Sequence, residues 1–290
     1  MKRKIKWLMG GLLLLACIVC AWLIWGVVTS LQPVVMNYTV EADVTESIRI
    51  VQLTDLHSRE YGEKNEELAE MVAAQEPDVI FMTGDMMSFR DENADVVCAL
   101  IEELKDIAPV YYSYGNHETA WEKDRGESLR PALEGAGAIV LDTEYLDTEL
   151  SGQAVRIGGY AGYYRQPGMF EVTAEERAAE LAFADAFENT DRLKLLLCHI
   201  PTAWIDWGYI NDFLVDVVFS GHYHGGQIRL PGIGGVYAPY IGFFPPYTKG
   251  VFEGGQAVCV LSAGIGTEQY IPRINNPPEI VVVELTPPEK

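Results

Sequence analysis

Histidine, cysteine and positive charge are all scarce in this chain of 290 residues: five histidines, five cysteines, and 21 basic side chains against 42 acidic ones. Five scattered cysteines are too few for the disulfide framework of a small secreted scaffold. Cys17 and Cys20 fall inside an apolar run, where a small residue packs without any redox role, and Cys98, Cys198 and Cys259 sit among apolar neighbours and read as core residues. The formal net charge is −21. Lys2, Arg3, Lys4 and Lys6 precede the apolar run, so the rest of the chain keeps 17 of the 21 basic residues against all 42 acidic ones, a balance of −25. So acidic a body argues against nucleic acid as a partner, because binding a phosphate backbone needs a basic surface. It argues equally against broad electrostatic adhesion to anionic lipid. Internal repeats and low-complexity tracts are missing, and the composition is that of a globular protein with a proper core. An H-E-x-x-H helix is missing too, which removes the common metallopeptidase arrangement.

Charge is absent altogether from residues 7–28, WLMGGLLLLACIVCAWLIWGVV. At about 1.5 Å per residue, such a helix spans a bilayer core of about 30 Å. A cleavable signal has a shorter apolar region and a small-residue cleavage site. Leu14-Leu15-Ala16-Cys17 faintly suggests a lipidation site, but the apolar run continues well past it. The expectation is a retained single-pass anchor, with cleavage, lipidation or a buried core helix as alternatives. Residues 1–6 then form a basic cytoplasmic tail, 7–28 the transmembrane anchor, 29–46 a linker and entry segment, and 47–290 one folded domain on the extracytoplasmic face of the cell membrane.

Beyond the anchor, apolar β-branched runs alternate with helix-like stretches. The runs cover 48–53, 79–82, 110–114, 193–198 and 215–219; the helical stretches cover 66–74, 94–107, 129–135 and 174–187. Further strands are expected at 257–262 and 280–285. This alternation predicts an α/β layer architecture with buried strands, and the late strand material suggests two sheets rather than one.

Each of the five early strands ends in Asp, Asn or His. The first runs into Asp55-Leu56-His57, the second into Gly84-Asp85, the third into Gly115-Asn116-His117, the fourth into His199, and the fifth into Gly221-His222-Tyr223-His224. All five histidines of the chain are at these ends. Ligands bind outside the carboxyl ends of strands in open α/β sheets, so the five loops can converge on one site. Imidazoles and carboxylates together suit a divalent transition metal. One ion would leave donors unused; two ions sharing a bridging carboxylate would use seven of these eight groups and leave one histidine over. His222 and His224 would point oppositely on an extended strand, so Gly221, Gly225 and Gly226 are expected to bend their loop.

Taken together and in this order, the blocks Asp55-x-His57, Gly84-Asp85, Gly115-Asn116-His117-Glu118, His199 and Gly221-His222-x-His224 resemble those of the calcineurin-like metallophosphoesterases. The stretches Gly225-Gly226-Gln227-Ile228-Arg229-Leu230-Pro231, Gly242-Phe243-Phe244 and Pro272-Arg273-Ile274-Asn275-Asn276-Pro277-Pro278-Glu279 look like a membrane-associated bacterial branch of YkuE- and YaeI-like phosphodiesterases, which also holds enzymes similar to UDP-2,3-diacylglucosamine hydrolases. The resemblance implies a four-layer α-β-β-α sandwich for the outer domain. It implies two divalent ions, manganese, iron or zinc. Asp55, His57, Asp85 and His224 would hold the first, and Asp85, Asn116, His199 and His222 the second, with Asp85 bridging and His117 beside the substrate phosphate. One departure stands out: many members carry an acidic residue soon after the Gly-Asp pair, where this chain has Met86-Met87-Ser88.

Two ions about 3.5–4 Å apart generate hydroxide near neutral pH and clamp phosphate oxygens, so attack on phosphorus with His117 as general acid, oriented by Asp55, is the expected chemistry. The expected substrate is a phosphodiester or pyrophosphate in a lipid or cell-envelope molecule; a phosphomonoester, or a non-catalytic surface protein on the same fold, is the alternative. Residues 240–247, YIGFFPPY, would touch the membrane or an acyl chain, or else cover the sheet edge; residues 160–165 would line the cleft, or else serve only ordinary strand and loop packing.

Overall fold

The computed structural model describes residues 2–162, 173–267 and 272–288. In chain order the helices are α1 (Lys2–Val28), α2 (Glu66–Ala73), α3 (Asp95–Leu104), α4 (Asn116–Arg125), α5 (Arg130–Ala136), α6 (Ala174–Glu188) and α7 (Thr202–Ile205). The strands are β1 (Val34–Glu41), β2 (Ile48–Leu53), β3 (Val79–Thr83), β4 (Val110–Ser113), β5 (Ile139–Leu141), β6 (Glu144–Leu150), β7 (Gln153–Tyr160), β8 (Leu193–Cys198), β9 (Val217–Ser220), β10 (Arg229–Leu230), β11 (Gly234–Gly235), β12 (Tyr237–Ala238), β13 (Gly242–Phe243), β14 (Gly250–Glu253), β15 (Val258–Leu261) and β16 (Glu279–Thr286).

Two six-stranded sheets carry the fold, ordered β1-β16-β2-β3-β4-β5 and β14-β15-β9-β8-β7-β6. Both are mixed: β2 to β5 run parallel while β16 is antiparallel to β2, and β15, β9, β8 and β7 run parallel while β14 and β6 are antiparallel edges. The period-2 alternation of each strand explains why the sheets stack. In β2, Ile48 and Ile50 face the second sheet, while Val51 and Leu53 face the helices. In β8, Leu195 and Leu197 face the first sheet, while Leu196 and Cys198 pack with Phe183 and Phe187 of α6. On α3, Val97, Leu100, Ile101 and Leu104 form one buried stripe at helical spacing. Three apolar interfaces thus separate four layers, α-β-β-α, as expected. Each fully buried large apolar side chain contributes about 1.5–3 kcal/mol.

Helix α1 projects its apolar side chains outward and is long and apolar enough to cross a membrane. Within the stretch expected to be a linker and entry segment, residues 34–41 form β1, which pairs in parallel with β16 from Val34↔Glu279 to Glu41↔Thr286. It is a largely exposed edge strand, so its sequence VVMNYTVE carries no continuous apolar run.

The parallel strands β2, β3, β4, β8 and β9 bring their carboxyl ends to one edge of the sandwich. Gln52 at the end of β2 ties this edge across the two sheets. Its Nε2 donates to Thr83 Oγ1 and to Ser220 O, each at 3.0 Å.

Candidate metal centre

The loops at this edge hold their polar residues in an uncommon backbone state. Asp55, His57, Asp85, His222 and His224 have φ of 53°, 48°, 51°, 71° and 47°, the left-handed region. That conformation costs an L-residue roughly 1–2 kcal/mol and clusters at functional sites. The 221–226 loop therefore bends differently from expectation: His222 and His224 themselves turn the chain, together with Gly225 and Gly226, and Gly221 does not enter the left-handed region. Gly221 is needed for another reason, since a Cβ there would collide with Asp55 Oδ2 and Thr54 Oγ1. Likewise a Cβ on Gly115 would collide with Asp85 Oδ1.

The bends gather the side chains into overlapping groups. Ligand-type atoms of Asp55, His57 and His224 lie within 4.8 Å of one another, as do those of Asp85, His199 and His222, and those of His57, Asp85 and His117. His57 Nε2 is 3.3 Å from His224 Nε2, and His224 Nε2 is 3.5 Å from Asp55 Oδ1. Asp55 accepts the His222 N–H, and Asp85 Oδ1 accepts the His117 N–H at 2.8 Å, in the first turn of α4. The orphan N–H groups of that helix start favour the Asp85 carboxylate.

Two imidazoles have their tautomer fixed by a neighbour. His199 Nδ1 donates to Thr83 O at 2.8 Å and turns its Nε2 to within 3.0 Å of Asp85 Oδ2. His117 Nδ1 accepts the Phe89 N–H at 3.2 Å, so the neutral ring carries its proton on Nε2, 3.9 Å from Asp85 Oδ2. Phe89 and Asp85 contact the His117 ring, while Asp55 Oδ1 lies among His57, His199 and His224.

Burial pulls His57 and His222 down to about 3, so both rings are neutral, with lone pairs free to coordinate. Burial, joined by the Asp85 charge, pushes Asp55 up to about 6. Burial also opposes a charge on His199, but the carboxylates of Asp85 and Asp55 outweigh it and lift that ring to about 10. Reciprocally, despite burial, the His199 charge and hydrogen bond hold Asp85 well below the usual carboxylate range. Two buried carboxylates with no Lys or Arg ion pair among the described residues demand positive charge, and the protein alone meets that demand by protonating an imidazole between them.

The profile of the calcineurin-like phosphoesterase family matches residues 48–226, which contain every one of these side chains. The chain belongs to this family. It is 27% identical over 247 residues to the uncharacterized metallophosphoesterase YkuE of Bacillus subtilis, covering 83% of this chain and 79% of YkuE. Phosphodiesterase YaeI of Escherichia coli is 24% identical over 250 residues, 84% of each chain. The uncharacterized metallophosphoesterase YkoQ of B. subtilis is 28% identical over 189 residues, and the match spans 64% of each, a little under two thirds of YkoQ.

The donor set of this calcineurin-like phosphoesterase fits divalent cations. Asn116 Oδ1 and His222 Nε2 are buried with no hydrogen-bond partner, an arrangement that costs free energy unless an ion completes it. The structure brings together Asp55, His57, Asp85, His117, His199, His222 and His224; Asn116, the first residue of α4, precedes His117 in the chain.

Glu118, Asp91, Asn276 and Arg273 further frame it, and sequence reasoning gave none of these four a role. Glu118 is fully buried; its Oε2 accepts the N–H of Asp85 (2.9 Å) and Gly115 (2.8 Å), and its Oε1 accepts the N–H of Met86 (2.8 Å) and Met87 (3.3 Å) and the Tyr112 hydroxyl (2.7 Å). With Asp91, which takes the Ser88 N–H and the Ser58 hydroxyl, it supplies the support that Met86-Met87-Ser88 lacks. Asn276 Nδ2 donates to His224 O (2.7 Å) and Gln227 O (3.2 Å), and buried Arg273 donates to Gly266 O (2.7 Å) and Ala263 O (2.6 Å). The signal for both was the motif at 272–279, used above only for resemblance. Tyr240 stacks on His222, ring centroids 5.4 Å apart at 7°. Contrary to the sheet-edge alternative for residues 240–247, Tyr240, Phe243 and Phe244 are exposed. Of the residues expected to line the cleft, Tyr160 is buried in the outer core with α6, and Tyr163, Tyr164 and Arg165 lie outside the described residues.

Proposed function

We propose that this phosphoesterase is a dinuclear-metal phosphodiesterase, held by α1 at the extracytoplasmic face of the cell membrane, that cleaves a phosphodiester or pyrophosphate in a lipid or envelope molecule. The observation that carries the reading is the pair of buried triads, Asp55/His57/His224 and Asp85/His199/His222, side by side at the carboxyl ends of the strands. Asp55, His57, Asp85 and His224 would hold one cation, and Asp85, Asn116, His199 and His222 the other. When bound, the two ions, manganese, iron or zinc, lower the pKa of a water and neutralise charge on phosphate oxygens. The chain's own residues do the rest. His117 turns Nε2–H toward the leaving oxygen because Phe89 N–H occupies Nδ1; as the neutral ring it stabilises the charge developing there by hydrogen bonding, and the proton that finally neutralises the leaving oxygen comes from water. Glu118 and the start of α4 hold Asp85 in place, and Thr83 O fixes the ring of His199.

A retained anchor rests on two features. Trp7 and Trp25, both exposed on α1, are separated by about 27 Å of helix, near the thickness of a hydrocarbon core with an aromatic belt at each side. The last turn of α1 is also built into the domain. Asn275 N–H donates to Gly26 O and Asn276 N–H to Ser30 Oγ, each at 3.0 Å, and cleavage at the end of the apolar run would remove the first of these bonds or both. The basic residues before the run support an N-terminus in the cytoplasm. The experiment is metal analysis of the full-length protein together with hydrolysis of bis-p-nitrophenyl phosphate and of p-nitrophenyl phosphate. Two bound equivalents, faster diester cleavage and a loss of about 10²–10⁴-fold in His117→Asn are expected; metal-free protein, or His117→Asn with full activity, refutes the reading.

A further inference from the structure

Residues 230–248 contain no Asp, Glu, Lys, Arg or His, an interruption of nineteen residues in a chain of net charge −21. The segment forms the two hairpins β10–β11 and β12–β13. Rather than burying its apolar side chains it displays them: Ile233, Tyr237, Tyr240, Phe243, Phe244 and Tyr247 are all exposed, Phe243 at 75%. Tyr240 and Phe244 hold left-handed φ of 62° and 55°, a strained backbone that keeps these rings outward. The basic residues flanking the segment are turned inward: Arg229 donates to Gly225 O and Thr248 Oγ1, and Lys249 pairs with buried Glu279. The patch thus offers aromatic surface without charge.

Its position follows from a continuous run of backbone bonds. Gly26, two residues before the end of α1, accepts the Asn275 N–H; the neighbouring Ile274 O accepts the Arg229 N–H (2.9 Å); Ile228 O accepts the Val236 N–H (2.9 Å); and Val236 O accepts the Phe244 N–H (2.8 Å). This run of bonds ties the hairpins closely to the last turn of the apolar helix. The other end of the segment reaches the metal centre through Tyr240 on His222.

We infer that residues 230–248 form a second membrane contact, an uncharged aromatic collar that inserts into the bilayer interface beside the anchor and sets the mouth of the metal centre against lipid headgroups. Tyr and Phe favour that depth, and an acidic body of this size gains nothing from anionic lipid, so the contact is apolar and indifferent to salt. The collar makes the substrate a phosphoester carried in the same leaflet. That substrate half rests on the phosphodiesterase reading; the membrane contact does not.

The test uses the full chain in phosphatidylcholine vesicles. A bimane label at Phe243→Cys is compared with one at Ser151→Cys, in the β6–β7 turn at the amino end of β7 and so at the opposite edge of the sandwich, with the unsubstituted chain as the labelling blank. Lipid-borne nitroxide should quench the label at 243 and spare that at 151, and aqueous iodide should do the reverse. In the same vesicles, Phe243→Ser/Phe244→Ser should cut turnover of a membrane-borne phosphodiester by about tenfold or more, from two aromatic side chains withdrawn from the interface, while turnover of bis-p-nitrophenyl phosphate is kept. Iodide quenching at 243 equal to that at 151, or equal loss on both substrates, overturns the collar. Unmodified protein inert toward both substrates instead defeats the phosphodiesterase reading, and the quenching still decides the membrane contact.

Discussion

Replacing Glu118 by Gln alters one atom in a carboxylate that receives five donors, four of them backbone N–H groups. The amide keeps one acceptor oxygen and turns an NH₂ toward the remaining donors. If the NH₂ takes the Oε2 place, Asp85 and Gly115 lose their acceptor; if it takes the Oε1 place, Met86, Met87 and Tyr112 do. Each buried donor left unpaired costs about 1–3 kcal/mol, so a loss of about 2–6 kcal/mol is expected. For a domain of this size that lowers Tm by roughly 5–20 °C. Because two of the bonds hold the backbone of Asp85 and Met86, the variant should also retain less metal after dialysis. Glu122→Gln is the control: Glu122 sits on the same helix and accepts from the Tyr114 hydroxyl (2.9 Å) and the Leu129 N–H (2.7 Å), away from the Asp85 loop. It should lose stability and keep its metal. Thermal unfolding followed by elemental analysis of both variants decides the matter. A Glu118→Gln protein that melts with the parent and carries the same metal would show that the bonds to Glu118 are incidental.

His222→Ala and His224→Ala should each remove one metal equivalent and most turnover, read by elemental analysis; two full equivalents in either variant contradicts the proposed ligand set. Asp142 supplies a pH test away from the metal centre. Burial and then the charge of Glu122 push it up to about 6 from an ordinary 3.8, so folding favours its protonated form. That contribution is complete below about pH 4 and is lost as pH rises through 6, leaving an ionised half-buried carboxylate that costs up to about 3 kcal/mol. Asp142→Asn should therefore exceed the parent in stability at pH 7.5 and match it at pH 4; denaturation curves with the same separation at both values would refute this.

Much of the metal centre was legible because its chemistry needs residue types that occur almost nowhere else in the chain. With all five histidines at strand ends, buried strands reading as apolar runs were enough to place them on one edge. What the sequence concealed falls into two kinds. Edge strands β1 and β6 are largely exposed, so they lack the apolar continuity that exposed β2 or β8 to reading. Helix α4, NHETAWEKDR, is polar throughout, and its buried residues His117, Glu118 and Trp121 serve the site as much as the core, so no amphipathic stripe announces it. The rest was backbone. Nothing in the types of Asp55 or His57 reveals a left-handed φ, and the glycines expected to bend the last loop share that task with the histidines. Arg273 and Asn276 were visible as a motif, but their partners are carbonyl oxygens, which carry no sequence identity.

The left-handed backbone at Asp55, His57, Asp85, His222 and His224 also limits what could ever replace them. A β-branched or bulky substitute meets a conformational barrier before any chemistry is lost, whereas Asn and Gly adopt that geometry readily. A descendant of this fold that had abandoned catalysis and drifted would therefore be channelled toward Asn or Gly at these five places while staying folded. Such residues in a related chain would mark retirement from hydrolysis more reliably than overall divergence.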